Sequence, residues 1–261
     1  MMKIMESLLF SRGENKSIAQ TIRDTHTGRS SSFDALDWLE NNGFIEIHSL
    51  GRQKIVKPVV DNYTLQYKYY LDSLRFKVLP SFTKLIARVF VELLDDKEIK
   101  AIVLFGSSIK SENYNDIDLL LLGKINDLKD NKKIFKLREN LEKFFGVLIN
   151  VHFDELSFSN LSKGIVIYQS SYLPLCNDMQ KQYLEFFEWC FILLENKKDK
   201  ILYSDAFNNA LTNLSYCYAH LNENYPEVKS DALKLFNDKY SIKTFNDLKE
   251  RGIEIGKKVF K

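Results

Sequence analysis

Residues 101–122, AIVLFGSSIKSENYNDIDLLLL, constrain the chain more than any other stretch. Ala101 to Phe105 and Leu119 to Leu122 are apolar runs too short for free-standing helices and bounded by turn residues, so they read as buried strands. Alternation along a strand sets Asp116 and Asp118 on one face and Ile117 and Leu119 on the other. Two carboxylates at the edge of an apolar sheet are costly to hold together unless a cation joins them. A hard, oxygen-seeking ion suits such a pair, and Mg²⁺ is the natural choice. Between the strands, Gly106 lets the backbone approach a ligand, and Ser107 and Ser108 add small hydroxyls. Backbone N–H groups there would bring a polyphosphate towards the aspartates. The plainer alternative is a buried hairpin whose aspartates cap a loop.

A chain of 261 residues, 45% hydrophobic, can bury a real core and has room for two or three modules. Its net charge of +2 announces no nucleic-acid protein, so any such binding needs a local basic surface. Cys176, Cys190 and Cys217 are dispersed without metal-ligand spacing and read as buried thiols of a reducing compartment. No signal pattern opens the sequence, and no apolar run approaches the ~18 residues that span a bilayer, so the expectation is a soluble, cytoplasmic protein.

Module boundaries follow changes of pattern. Residues 1–62 read as three short helices and a β-hairpin. Met5, Leu8, Leu9 and Phe10 mark the first helix, and Ser17 to Arg23 the second. Ser30-Ser31-Ser32 would cap the third, which stops at Asn41-Asn42-Gly43. Phe44 to His48 and Ile55 to Val59 alternate like strands around Ser49-Leu50-Gly51-Arg52.

Residues 63–175 begin with helical spacing broken near Leu79-Pro80. Tyr63, Tyr67 and Tyr70 form a stripe better read as core than as a base-stacking surface. After the aspartate strand, Asn126 to Phe145 reads as one amphipathic helix, Gly146 to Phe153 as a third strand, and Ile165 to Tyr168 as the strand that closes the sheet. Asp154 and Glu155 are expected on a loop. Residues 176–261 have helical period throughout, as in a four-helix bundle. His220 at the end of the second of these helices suits the helix dipole.

The phrase LDWLENNGFIEIHSLGRQKIVKP resembles the recognition helix and wing of prokaryotic winged helix-turn-helix regulators. That resemblance implies duplex DNA contacted by Arg29, Ser30, Ser31, Ser32 and Asp34 of the third helix and by Arg52, Gln53 and Lys54 of the wing. Residues 1–60 carry eight basic side chains against seven acidic ones, a net of only +1, and winged helices also serve as protein-interaction or dimerisation modules.

Leu104-Phe105-Gly106-Ser107, eight intervening residues, then Asp116-Ile117-Asp118-Leu119 resembles the minimal nucleotidyltransferases of archaea and bacteria. The resemblance implies catalytic, Mg²⁺-binding Asp116 and Asp118, with Gly106, Ser107, Ser108 and Lys110 on a nucleoside triphosphate, ATP by preference. Lys110 reads equally well as a solvated loop lysine. Catalytically complete members carry a third carboxylate on the next strand, where this chain has Asn150 and His152. The helical C-terminal part resembles the HEPN domain that often accompanies this unit. It lacks the Arg upstream of His220 that the ribonuclease form carries, and would cover the nucleotide cleft or form a dimer contact.

The expected fold is therefore α+β: an N-terminal winged helix, a central mixed nucleotidyltransferase sheet with flanking helices and a C-terminal helical bundle. The expected activity is Mg²⁺-dependent transfer of a nucleotide to a hydroxyl acceptor. The alternative is a non-catalytic, DNA-binding regulator or antitoxin-like protein that only binds nucleotide.

Overall fold

The computed structural model describes residues 1–11, 16–94, 96–110, 114–170, 178–223 and 229–260. Cys176 and the expected boundary at 175/176 lie outside them. Among the described residues the fold is α+β, with twelve helices and two small sheets. None of these helices is long and apolar enough to cross a membrane.

The first unit runs α1 (Met2–Leu9), β1 (Lys16–Ser17), α2 (Ile18–Thr25), α3 (Arg29–Asn41), β2 (Ile45–Leu50) and β3 (Gln53–Pro58). Its antiparallel sheet has the order β1-β3-β2. β1 is an addition that two residues of sequence could not announce. Ile4, Met5, Leu8 and Leu9 of α1 meet Leu36, Leu39, Ile45 and Val56 in a small core of their own. The serine triplet does not cap α3. Gly28 holds the cap position and the serines fall inside the first turn, where Ser32 is buried with its hydroxyl on the Gly28 carbonyl.

α4 (Asn62–Lys77) starts where the Asp61 carboxylate accepts from the Thr64 N–H, and that hydrogen bond holds Asp61 below its ordinary pKa. Its tyrosine stripe divides: Tyr67 packs against the core of the first unit, whereas Tyr63 is 76% and Tyr70 56% exposed. The buried face carries Lys68, Leu71, Asp72 and Phe76. Pro80 separates α4 from α5 (Ser81–Leu93), as its missing N–H and the restricted residue before it require.

The second sheet comprises β4 (Ile99–Phe105), β5 (Asp116–Gly123), β6 (Leu148–Asp154) and β7 (Ile165–Gln169), in the order β6-β5-β4-β7. β5 is antiparallel to β4 and parallel to β6, and β7 is antiparallel to β4. β7 thus ends the sheet as an edge strand beside β4. The parallel β5–β6 step needs a crossover. Two helices supply it, α6 (Ile125–Lys129) and α7 (Lys132–Phe145), because Asn131 caps a fresh start within the expected single helix. Asp154 belongs to β6 rather than to a loop, and a short α8 (Phe158–Leu161) follows.

α9 (Asp178–Glu195), α10 (Lys200–Leu221), α11 (Lys229–Lys239) and α12 (Phe245–Val259) complete the chain. They share one continuous core with the second sheet: Ile117, Leu119 and Leu121 of β5 belong to the same cluster as Leu141 and Phe144 of α7, Phe186 and Phe187 of α9, Leu214 of α10 and Ile255 of α12. Phe144, Phe145, Tyr183, Phe186 and Phe187 interlock at centroid distances of 4.6–6.0 Å. The Tyr183 hydroxyl is satisfied by the Gly252 carbonyl at 2.6 Å, which makes burial of this ring affordable. Burial pushes the Cys190 and Cys217 thiols upwards, so both are inert apolar fillers. On the other face Ala101, Val103, Leu120 and Leu122 are covered by Leu161, Leu65 and Tyr69, which leaves only the end of that face at Asp116 and Asp118 part-exposed.

Candidate functional site

The part-exposed end of the sheet begins at Gly106. Its φ of 83° lies in the left-handed region, and a Cβ there would overlap Asp118 Oδ2, so only glycine lets the chain turn against that carboxylate. The cause is the register: Phe105, the last residue of β4, pairs with Asp118 of β5. Asp118 in turn pairs with Asn150 of β6, and Asp116 with Leu148.

Alternation along β5 buries Ile117 and Leu119 and leaves Asp116 and Asp118 part-exposed on the other face. Asn150 joins them. Its Nδ2 donates to Asp116 Oδ2 at 2.8 Å and to Asp118 Oδ1 at 3.1 Å. His152, two residues on and on the same face, has Nε2 3.9 Å from Asp118 Oδ1 and its ring edge against Phe105 at 5.4 Å. Both side chains at the strand positions of interest therefore turn towards the aspartates. Leu148 stands beside them, 61% exposed.

The amide between two carboxylates is a chemically specific arrangement. Its N–H groups carry partial positive charge and satisfy one oxygen of each acid, which is the place a cation would take. Rotating the amide by 180° would turn its oxygen to the same spot. Two carboxylates, an amide oxygen and a glycine turn that keeps Asp118 accessible make a hard-oxygen donor set, and this fits Mg²⁺. Among the described residues, no group of three or more His, Cys, Asp or Glu side chains is gathered to hold a metal. The donor set is thus two acids and an amide, not three acids.

The turn itself divides its residues. Ser107 is exposed, whereas Ser108 is fully buried with its hydroxyl 3.4 Å from the Phe105 carbonyl. The Ser108 side chain is therefore part of the turn's packing and offers no hydroxyl to a ligand. The Thr83 hydroxyl, 3.0 Å from Tyr114 Oη, backs the turn from α5. Lys110, exposed, closes the single 3₁₀ turn Ser107–Ile109 and lines a cavity together with Arg75 and Ser81.

A second charged constellation, on α4, has no signature in the sequence pattern. Lys68 and Asp72 form a fully buried ion pair on α4. Lys68 Nζ also donates to the Gly164 carbonyl at 3.2 Å, and Asp72 Oδ2 accepts from the Val166 N–H at 2.9 Å, so the pair pins α4 to the edge strand β7. Burial pushes the Lys68 ammonium down and the Asp72 carboxyl up, each opposed by the partner's charge. Lys68 and Arg75 also lie over the Phe10 ring, at 4.7 and 4.1 Å from its centroid, which ties in the first unit.

In that unit Arg29, Ser30 and Ser31 at the start of α3, and Arg52 and Lys54 around the β2–β3 turn, are exposed. Ser32 is the correction: being buried, it cannot reach a partner. Gly51, with φ 60°, shapes the β2–β3 turn.

Comparison of the chain with protein-family models, with curated proteins and with solved structures finds no match.

Proposed function

We propose that the face formed by Gly106, Asp116, Asp118 and Asn150 is a nucleotidyltransferase-type site that binds a nucleoside triphosphate with Mg²⁺. The observation that carries this reading is the convergence of the glycine turn on Asp118 while Asn150 bridges both aspartates. Asp116, Asp118 and the Asn150 amide oxygen would hold the cation. When bound, Mg²⁺ supplies charge neutralisation for the phosphates and for the leaving pyrophosphate. The backbone N–H groups after Gly106 and the Ser107 hydroxyl would position the phosphate chain. In the transfer, an acceptor hydroxyl oxygen bonds to the α-phosphorus, the α–β phosphoanhydride bond breaks, and pyrophosphate leaves. The acceptor's proton goes to solvent or to His152, whose Nε2 lies beside Asp118.

A second reading is favoured by one specific observation. The position that would carry a third carboxylate is Asn150, which cannot accept a proton, so the site would bind nucleotide with little or no turnover. The two readings share their ligand and differ in product. Incubation with ATP, Mg²⁺ and a panel of hydroxyl acceptors should release pyrophosphate under the first reading. Tight ATP binding with no release across the panel selects the second, and no nucleotide binding at all removes both.

For residues 1–62, the order α1-β1-α2-α3-β2-β3 with a β1-β3-β2 sheet supports the winged-helix reading, and we propose that this unit binds duplex DNA. The residues concerned are Arg29, Ser30, Ser31, Arg52 and Lys54. Affinity for duplex DNA should fall steeply with salt and fall again in Arg52→Gln and Lys54→Gln. Absence of binding at low salt contradicts this part.

A further inference from the structure

The turn at Gly106 has two sides. On one stand the aspartates; on the other, towards β7, the chain borders a cavity of about 400 Å³ whose lining includes Arg75, Leu79, Ser81, Ile109, Lys110 and Ile165. Its walls combine an apolar surface from Leu79, Ile109 and Ile165 with two cations and a hydroxyl, and no acid lines it among the described residues. Lys110 makes no ion pair there among the described residues. Arg75 has Asp72 as its nearest acid, Nη1 to Oδ1 at 3.9 Å, but the Asp72 charge is already matched by Lys68 in the buried pair. Among the described residues around this cavity the positive charge therefore exceeds the negative. Two cations lining a partly apolar hollow repel one another unless an anion is shared between them.

The size and chemistry narrow the ligand. A free phosphate would fill a small part of 400 Å³, whereas a phosphate monoester with a carbon skeleton would use the cations and the apolar walls together. The position narrows it further. Ile165 of β7 is one strand from Leu104 of β4 and two from β5, so about 10 Å separates the cavity from the Asp116–Asp118 strand. A small phosphorylated molecule anchored at Arg75 and Lys110 would span the turn and carry a hydroxyl towards the aspartates.

We propose that this cavity binds the phosphate of a phosphorylated, hydroxyl-bearing small molecule. The anion site stands on the cavity alone; its service as the acceptor subsite rests on the nucleotidyltransferase reading above. The full chain, with divalent cations removed by EDTA, is titrated by calorimetry with ribose 5-phosphate and, as the control lacking the phosphate, with ribose. Ribose 5-phosphate should bind and ribose should not. Lys110→Gln, at an exposed position, should weaken binding about tenfold, as should Arg75→Gln. Asp118→Asn should bind ribose 5-phosphate as the wild type does while losing Mg²⁺-dependent ATP binding. Failure of the nucleotide reading, seen as no ATP binding in any variant, would thus leave the anion site testable by itself. Equal affinity in wild type and Lys110→Gln, or no binding of ribose 5-phosphate at millimolar concentration, overturns the anion site. Competition between ATP and ribose 5-phosphate in EDTA would assign the cavity to the triphosphate tail and overturn the acceptor role.

Discussion

Two pairs of charged residues sit against the same sheet, and their surroundings differ in kind. Lys68 and Asp72 are fully buried, oppositely charged, and bonded to the Gly164 carbonyl and the Val166 N–H of β7. Asp116 and Asp118 are part-exposed and of like charge, and Asn150 supplies the amide that joins them. The first pair carries its own counter-charge and so fixes an arrangement of elements. The second is joined by the Asn150 amide, with His152 Nε2 3.9 Å from Asp118, and its two like charges are matched only in part. A charge already matched within the chain is architecture; one matched only in part is available to a ligand.

The contrast can be broken most severely at the closed pair. Asp72→Leu leaves the Lys68 ammonium buried and unpaired, and should cost about 3–5 kcal/mol, lowering the melting temperature by roughly 10 °C. The double change Lys68→Met with Asp72→Leu should recover most of that loss, because both charges are then gone. By contrast, Asp116→Asn and Asp118→Asn should each alter stability by no more than about 1 kcal/mol. Thermal melts of the four proteins decide it, and a large loss at Asp118 with a small one at Asp72 would reverse the assignment.

Next in size is Gly106→Ala. The left-handed φ and the overlap of the new Cβ with Asp118 together should cost about 1–3 kcal/mol and displace the carboxylate. ATP affinity in the presence of Mg²⁺ should fall with it, measured by calorimetry. Smaller again is Asn150→Asp, which sharpens the contrast by adding a third like charge. In EDTA its melting temperature should drop by the equivalent of about 1 kcal/mol, and millimolar Mg²⁺ should raise it above the value for the wild type under the same conditions.

The least effect belongs to carboxylates held chiefly by backbone N–H groups. Asp61 is held low by the Thr64 N–H at the start of α4, and Asp247 by the Lys243 and Thr244 N–H groups at the start of α12. A lowered folded pKa contributes stability that is present above the unfolded value, near 3.8, and is lost as pH falls through the lowered value. Melts between pH 5 and 2 should therefore fall less steeply for Asp61→Asn, which keeps the cap and removes the titration.

How much of this the sequence discloses depends on the range of the interaction concerned. β4, the glycine turn and β5 are legible because two short apolar runs with turn residues between them leave few alternatives. The shared face of Asp116 and Asp118 follows from strand alternation alone. Asn150 was visible as a residue, but its place between the aspartates needs the β5–β6 register, which is set by a crossover of two helices. Lys68 and Asp72 stand at spacing i, i+4, which by itself says nothing of burial. Their burial follows from β7, nearly a hundred residues away, covering that face of α4. Ser30–Ser32 misleads for a local reason: three good cap residues compete, and Gly28, already extended with φ −60° and ψ 145°, takes the position before any of them. Ser108 looks identical to Ser107 in sequence, and only the tight 3₁₀ turn sends its hydroxyl inward.

The proposed function stands on Asp116 and Asp118 as a shared cation and phosphate site. Calorimetric titration of ATP into wild type and Asp118→Asn, each with Mg²⁺ and again with EDTA, tests it most directly. The expected result is saturable binding to the wild type that requires Mg²⁺ and is lost in Asp118→Asn at an unchanged melting temperature. Binding of equal strength in both proteins, or binding indifferent to EDTA, would contradict it.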